Sequence, residues 1–156
     1  MKLVLIYNGK TVAPWLQDAI ADYSKRLQHY LSLETVVIPE VKSQKGLSVA
    51  VQMEKEADLM LKLLQPTDEV VLLDEHGKEM RSMELAQWLN RQQQQARRLV
   101  MIVGGPYGFS PRIKQRANQL LSFSRLTFSH QMIRLLLVEQ LYRACTILKG
   151  EPYHHE

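Results

Sequence analysis

Cysteine is almost absent from this chain: Cys145 is the one example in 156 residues. A lone thiol cannot form an intramolecular disulfide, so the fold must be held by its core, and a reducing compartment suits it. Cys145 sits in an apolar run, where a free thiol packs as a small hydrophobe. No apolar stretch approaches the roughly 18 residues that a membrane-spanning helix needs. The start, Met1-Lys2-Leu3-Val4-Leu5-Ile6, is too short for a secretory signal and lacks a small-residue cleavage site. These absences make a cytoplasmic protein the expectation, with no membrane partner.

Acidic residues are scarce in one region. From Arg97 to Lys149 there are nine Lys/Arg and one acidic residue, Glu139. Residues 1–78 carry 9 Lys/Arg against 11 Asp/Glu, whereas residues 79–156 carry 11 against 5. The net charge of +4 is too small to imply nucleic acid by itself. A one-sided basic half is the footprint of a polyphosphate partner, or else a solvated surface with no partner. The length fits one domain able to bury a core, and 46% apolar with 23% charged residues is a globular mix.

Apolar runs and helical spacings alternate along the chain. Residues 2–7 read as a buried strand ending at the Asn8-Gly9 turn. Pro14 opens a helix carried by Trp15, Leu16, Ala19, Ile20, Tyr23 and Leu27 to about Leu31. Val36–Ile38 is a second strand, stopped by Pro39, and the polar, basic residues 41–48 form a loop. A second helix runs to about Leu64, and Val70–Leu73 is a third strand closed by a turn at His76-Gly77-Lys78. Ser82 caps a third helix, Leu99–Val103 is a fourth strand, and Ser110-Pro111 begins a short basic helix. Residues 120–128 are extended or looped, and Ser129 caps a final helix that ends near Lys149, at Gly150. This alternation predicts an α/β three-layer sandwich around a mostly parallel sheet.

Three features could carry chemistry. Gly104-Gly105-Pro106-Tyr107-Gly108 follows a strand directly. Open α/β sheets bind ligands beyond the carboxyl ends of their strands, where glycines admit close approach. The spacing matches neither G-x-G-x-x-G nor a P-loop, which disfavours dinucleotides and triphosphates and leaves a structural turn as the alternative. In the final helix, His130, Arg134 and Leu141 share a face with Val138 and Cys145. A buried arginine there needs a carboxylate, carbonyl groups or an RNA phosphate. Glu139 and Arg143, four apart, pair on another face. The tail Pro152-Tyr153-His154-His155-Glu156 sets an aromatic beside histidines, which suits a nucleobase, although a terminus of this length is often disordered. Adjacent histidines with one carboxylate do not match a usual metal-ligand spacing, so no metal is expected. His29 and His76 have no evident partners and read as structural or exposed.

Taken together, GGPYG after a strand, SFSRLTFSHQMIRLLLVEQLYRA and G-E-P-Y-H near the end resemble the RlmH family of SPOUT-superfamily ribosomal RNA methyltransferases. The resemblance runs the whole chain and includes KLVLIYNGK and LLDEHGK. The string H-x-x-x-R-x-x-x-x-E-Q-x-Y-R-A from His130 to Ala144 is its most specific part. Two positions depart: Ser129 stands where many relatives have proline, and His155-Glu156 where a basic residue often follows the tail histidine.

The resemblance implies a C-terminal trefoil knot, against the general rule that chains are not knotted. It implies a homodimer with an S-adenosylmethionine (SAM) site near the interface. Leu73, Gly104, Gly105 and the loop Phe123-Ser124-Arg125-Leu126-Thr127-Phe128 would hold SAM. His130, Arg134 and His154 would be catalytic, and Arg143, Tyr153 and His154 would bind substrate. The implied reaction is N3-methylation of a pseudouridine in 23S rRNA on the assembled 70S ribosome. His130 and His154 are both candidate bases, because histidine titrates near neutral pH. Two other classes stay open: a ribosome-binding factor without catalysis, and an enzyme of the same fold acting on tRNA.

Overall fold

The computed structural model describes residues 1–41 and 47–156, so most of the expected loop at 41–48 lies outside the described residues. Ten elements follow one another along the chain: β1 (Lys2–Asn8), α1 (Pro14–Leu27), β2 (Ser32–Ile38), α2 (Val49–Lys62), β3 (Glu69–Glu79), α3 (Ser82–Gln95), β4 (Arg98–Val103), α4 (Pro111–Arg116), β5 (Gln119–Ser122) and α5 (Met132–Lys149). The sheet order is β2-β1-β4-β3-β5, and every pairing is parallel. The expected sandwich and parallel sheet are both present.

Strand β1 shows why both faces of the sheet are covered. Leu3, Leu5 and Tyr7 point into one core with Leu16 and Leu27 of α1, Leu85 and Leu89 of α3, and Leu137 and Leu141 of α5. Val4 and Ile6 point into the other core with Ala57 and Met60 of α2 and Ile113 of α4. The two sets alternate because successive side chains of a strand face opposite ways. An apolar run without polar interruptions is the signature of a strand buried on both faces. Each leucine or isoleucine fully buried here contributes about 1.5–3 kcal/mol. Because α3 and α4 lie on opposite faces, the connections after β3 and β4 diverge. That divergence opens a crevice at the carboxyl ends of the central strands.

Several boundaries differ from the sequence reading. Helix α1 ends at Leu27, and the Tyr30 and Leu31 N–H groups turn back onto the Leu27 carbonyl. Strand β2 starts at Ser32, four residues earlier than its apolar core suggests, because it is an edge strand with half its side chains in water. The turn residues His76-Gly77-Lys78 do not end β3. They form an irregularity inside it, with the register against β5 shifting between Leu73 and Lys78. Asp74 accepts from the His76 N–H at 2.8 Å and shapes that bend. Ser82 is the first residue of α3 and does not cap it; the Glu84 carboxylate instead accepts from the Arg81 N–H at 2.7 Å. Ser129 does cap the turn leading into α5, accepting from the Met132 N–H at 3.0 Å.

Candidate active site

The crevice is a cavity of about 620 Å³, walled by the carboxyl ends of three adjacent parallel strands. From β3 come Leu73, Asp74, Glu75 and His76, at the end of its pairing with β4 and in the bend that follows. Gly104 to Phe109 follow β4; Leu121 and Ser122 end β5, and Phe123, Ser124 and Leu126 to His130 follow it. A cavity of this size suits a nucleoside-sized ligand. Its walls mix apolar rings with backbone polar groups, a combination that can hold a ligand with an aromatic part and a charged arm.

Gly104 brings the backbone close against the Phe109 ring. A Cβ there would lie 3.1 Å from the Phe109 ring and 3.4 Å from the Gly108 carbonyl oxygen. The opposite wall is a loop pinned to itself and to β3. The Ser122 hydroxyl donates to the Ser124 carbonyl at 2.8 Å, and Ser124 Oγ accepts from the Leu126 N–H at 3.0 Å. The Thr127 hydroxyl donates to the Glu75 carboxylate at 2.6 Å, which ties the β5 loop to the β3 bend.

Most of the residues expected to hold a cofactor meet here: Leu73, Gly104, Gly105, Phe123, Ser124, Leu126, Thr127 and Phe128 all line the cavity. Arg125 does not. Its side chain is 88% exposed and pairs with Glu79 at 3.2 Å on the outside of the loop. His130 lines the cavity, and its pKa lies below the ordinary histidine value, through burial first and the neighbouring Arg134 charge second. A histidine so placed is neutral near pH 7 and able to accept a proton.

Arg134, which the resemblance implies to be catalytic, lies away from the cavity. It is fully buried and does not line the cavity. Its guanidinium donates to the carbonyls of Asn8 (2.8 Å), Gly9 (2.8 Å) and His130 (2.9 Å) and to the Thr11 hydroxyl (3.0 Å). It also lies 5.0 Å from the centre of the Tyr7 ring. Of the partners that the sequence left open, carbonyl groups are the ones present. Arg134 therefore ties the His130 turn to the end of β1.

The remaining candidates form a second cluster at the far end of α5. Gly150 ends the helix with φ +69°, a left-handed turn that glycine adopts at no steric cost. The Glu151 N–H returns to the Thr146 carbonyl at 2.9 Å, so the tail folds back along the helix. Glu139 then accepts from Arg143 at 2.7 Å and from the Tyr153 hydroxyl at 2.9 Å. Arg143 lies over the Tyr153 ring at 4.7 Å and contacts His154 Nδ1 at 3.2 Å. The tail is ordered by α1 as well: Tyr23 meets the Tyr153 hydroxyl at 3.2 Å, and the Tyr30 hydroxyl donates to Glu151 at 2.5 Å. Arg134 and Arg143 are nine residues apart on one helix, a separation of about 14 Å along its axis. Within one chain the cavity and the tail cluster are separate.

The sequence reading missed Asp74, Glu75, His76 and Lys114 as cavity walls, and Tyr23 and Tyr30 as supports for the tail. Position just after the apolar run Val70–Leu73 was the available signal for Asp74, Glu75 and His76, whereas Lys114 lies on α4 and carried none. The tyrosines carried no local signal.

A family model described as "Predicted SPOUT methyltransferase" matches residues 1–154. The chain belongs to the SPOUT methyltransferase family. Among curated relatives of this SPOUT protein, "Ribosomal RNA large subunit methyltransferase H" of Phocaeicola vulgatus is 55% identical, with 100% of both chains covered. The proteins of the same name from Bacteroides fragilis and Porphyromonas gingivalis are 54% and 48% identical, again over 100% of both chains. The cavity beyond β3, β4 and β5 is thus a site in a SPOUT methyltransferase. No helix among the described residues is long and apolar enough to cross a membrane.

Proposed function

We propose that this SPOUT protein is a SAM-dependent methyltransferase of large-subunit ribosomal RNA, acting on N3 of a pseudouridine in 23S rRNA on the 70S ribosome. The observation that carries the cofactor half is the cavity itself: its volume, its bare Gly104 wall and its pinned loop fit SAM. Leu73, Gly104, Gly105 and the loop from Phe123 to Phe128 would hold it, with Arg125 contributing through its backbone, since its side chain faces out. When bound, SAM supplies an electrophilic methyl group. The protein's own work is then to align a nitrogen nucleophile and to accommodate its proton. His130, the more buried of the two histidines lining the cavity, is placed to accept that proton. Arg134 is a positioning residue that holds the His130 turn.

The substrate half rests on the relatives' names together with Arg143, Tyr153 and His154, which suit phosphate and base contacts. We extend the proposal to a trefoil knot in the C-terminal third and to a cytoplasmic homodimer. An exposed apolar group supports self-association: Val12 (77%), Trp15 (61%) and Met132 (37%) lie at the starts of α1 and α5. The Val12 N–H donates to Gln131 at 2.9 Å, which joins the two starts. A second copy would bring an Arg143–His154 end to a cavity whose own chain keeps that end apart. Calorimetric titration with SAM tests the cofactor half. Saturable binding is expected; no binding would return a non-catalytic ribosome-binding factor to first place.

A further inference from the structure

We propose that His154 serves this reaction as a hydrogen-bond donor through Nε2, with its tautomer set by Arg143, and not as the proton acceptor. The inference rests on the reading of the tail as a substrate-binding end. Arginine carries donors and no acceptor, so the 3.2 Å contact between Arg143 Nη1 and His154 Nδ1 uses the Nδ1 lone pair. The ring proton of the neutral imidazole then sits on Nε2. One nitrogen is thereby occupied by Arg143, and the other already bears a proton.

The arrangement is over-determined. Glu139 fixes Arg143 from the far side at 2.7 Å and fixes Tyr153, the residue before His154, at 2.9 Å. Tyr142 packs edge-on against Tyr153 at 4.7 Å, and Tyr23 meets the Tyr153 hydroxyl from α1. His154 Nε2 is buried yet has no hydrogen-bond partner. Glu156 Oε1 lies 3.5 Å away without forming a hydrogen bond, and that side chain is 60% exposed. A buried N–H without a partner is costly and rare. This one points to an acceptor oxygen supplied by the substrate nucleotide, either a pyrimidine carbonyl or a phosphate oxygen, which would displace Glu156. The charged and titratable groups around the ring are Arg143, Glu139 and Tyr153 from α5 and the tail, Glu156 beyond it, and Tyr23 from α1. With His154 in this role, the proton leaving the nucleophilic nitrogen goes to another acceptor; of the two histidines lining the cavity, His130 is the more buried, while His76 is 83% exposed and held by Asp74.

Nitrogen-15 NMR of His154 in the intact protein reads the tautomer without any assay of activity. The expected result is a pyridine-like Nδ1 and a protonated Nε2 in the neutral ring. A pyridine-like Nε2 overturns the proposal. In methyl-transfer kinetics, His154→Ala is expected to lower kcat/KM about 10–100-fold. His154→Gln, whose amide N–H can take the place of Nε2–H, is expected to recover about tenfold of that loss and to keep the acid limb of the pH profile. Recovery in kcat assigns the acceptor to the base carbonyl, and recovery in KM assigns it to phosphate. A Gln variant no better than Ala, or one that has lost the acid limb, overturns the donor role. A tautomer as expected in a wild-type protein that transfers no methyl would instead count against the proposed function.

Discussion

Replacing Arg134 with alanine should destabilise the whole domain, not merely slow a reaction. The substitution removes four hydrogen bonds of 2.8–3.0 Å and the contact with the Tyr7 ring. The Asn8 and Gly9 carbonyls lose their arginine donor in buried surroundings. Each buried acceptor left without a donor costs about 1–3 kcal/mol, so the pair costs about 2–6 kcal/mol. Domains of this kind are stable by only about 5–15 kcal/mol. At about 2–4 °C per kcal/mol for this chain length, the melting temperature should fall by roughly 5–20 °C. Arg134→Lys should fall between, because one ammonium cannot match the planar fork that reaches β1, Thr11 and His130 together. Thermal and urea denaturation followed by circular dichroism measure both variants. An alanine variant melting within about 2 °C of the parent would refute the argument, since two stranded buried carbonyls cannot cost so little.

Gly77→Ala should also destabilise, because a Cβ there would stand 2.6 Å from the Leu120 carbonyl carbon and the Leu121 nitrogen, and backbone cannot step aside. A melting temperature lower by several degrees together with weaker SAM binding is expected, as β3 and β5 wall the same cavity; parity in both would contradict it. Cys145, its pKa pushed up to about 12 by burial, should resist thiol reagents at neutral pH in the folded protein and react once it is denatured. His130 should titrate below the ordinary value of about 6.5, because burial and then the Arg134 charge disfavour its protonated form. The folded chain then binds this proton less readily than the unfolded chain. Stability is lost as pH falls through about 6.5, and is unaffected by His130 well above it. An NMR titration with a midpoint above 6.5 would contradict the sign.

Local pattern made much of the fold legible. Uninterrupted apolar runs marked β1, β3 and β4, and their spacing with helices implied a parallel sheet. The full length of β3 was hidden because His76-Gly77-Lys78 has the composition of a turn, while pairing with β5 keeps it within a strand. The glycine wall was visible from Gly104 and Gly105, but Lys114 of α4 joins the cavity only through the sheet order, which no local pattern encodes. Arg134 was recognisable as a buried charge needing partners. Those partners, the Asn8 and Gly9 carbonyls, lie 126 and 125 residues away in the chain. The tail reads as a free end until Tyr23 and Tyr30 of α1 are seen to hold it.

Transfer of labelled methyl from SAM to ribosomal particles lacking the modification tests the central claim most directly. Assembled 70S ribosomes, free 50S and 30S subunits and tRNA are compared in parallel. The account predicts label in 23S rRNA, strongest on 70S particles and placed on N3 of a pseudouridine. Label in tRNA alone would keep the fold and the cofactor but contradict the substrate, and no label in any RNA would contradict the proposed activity itself.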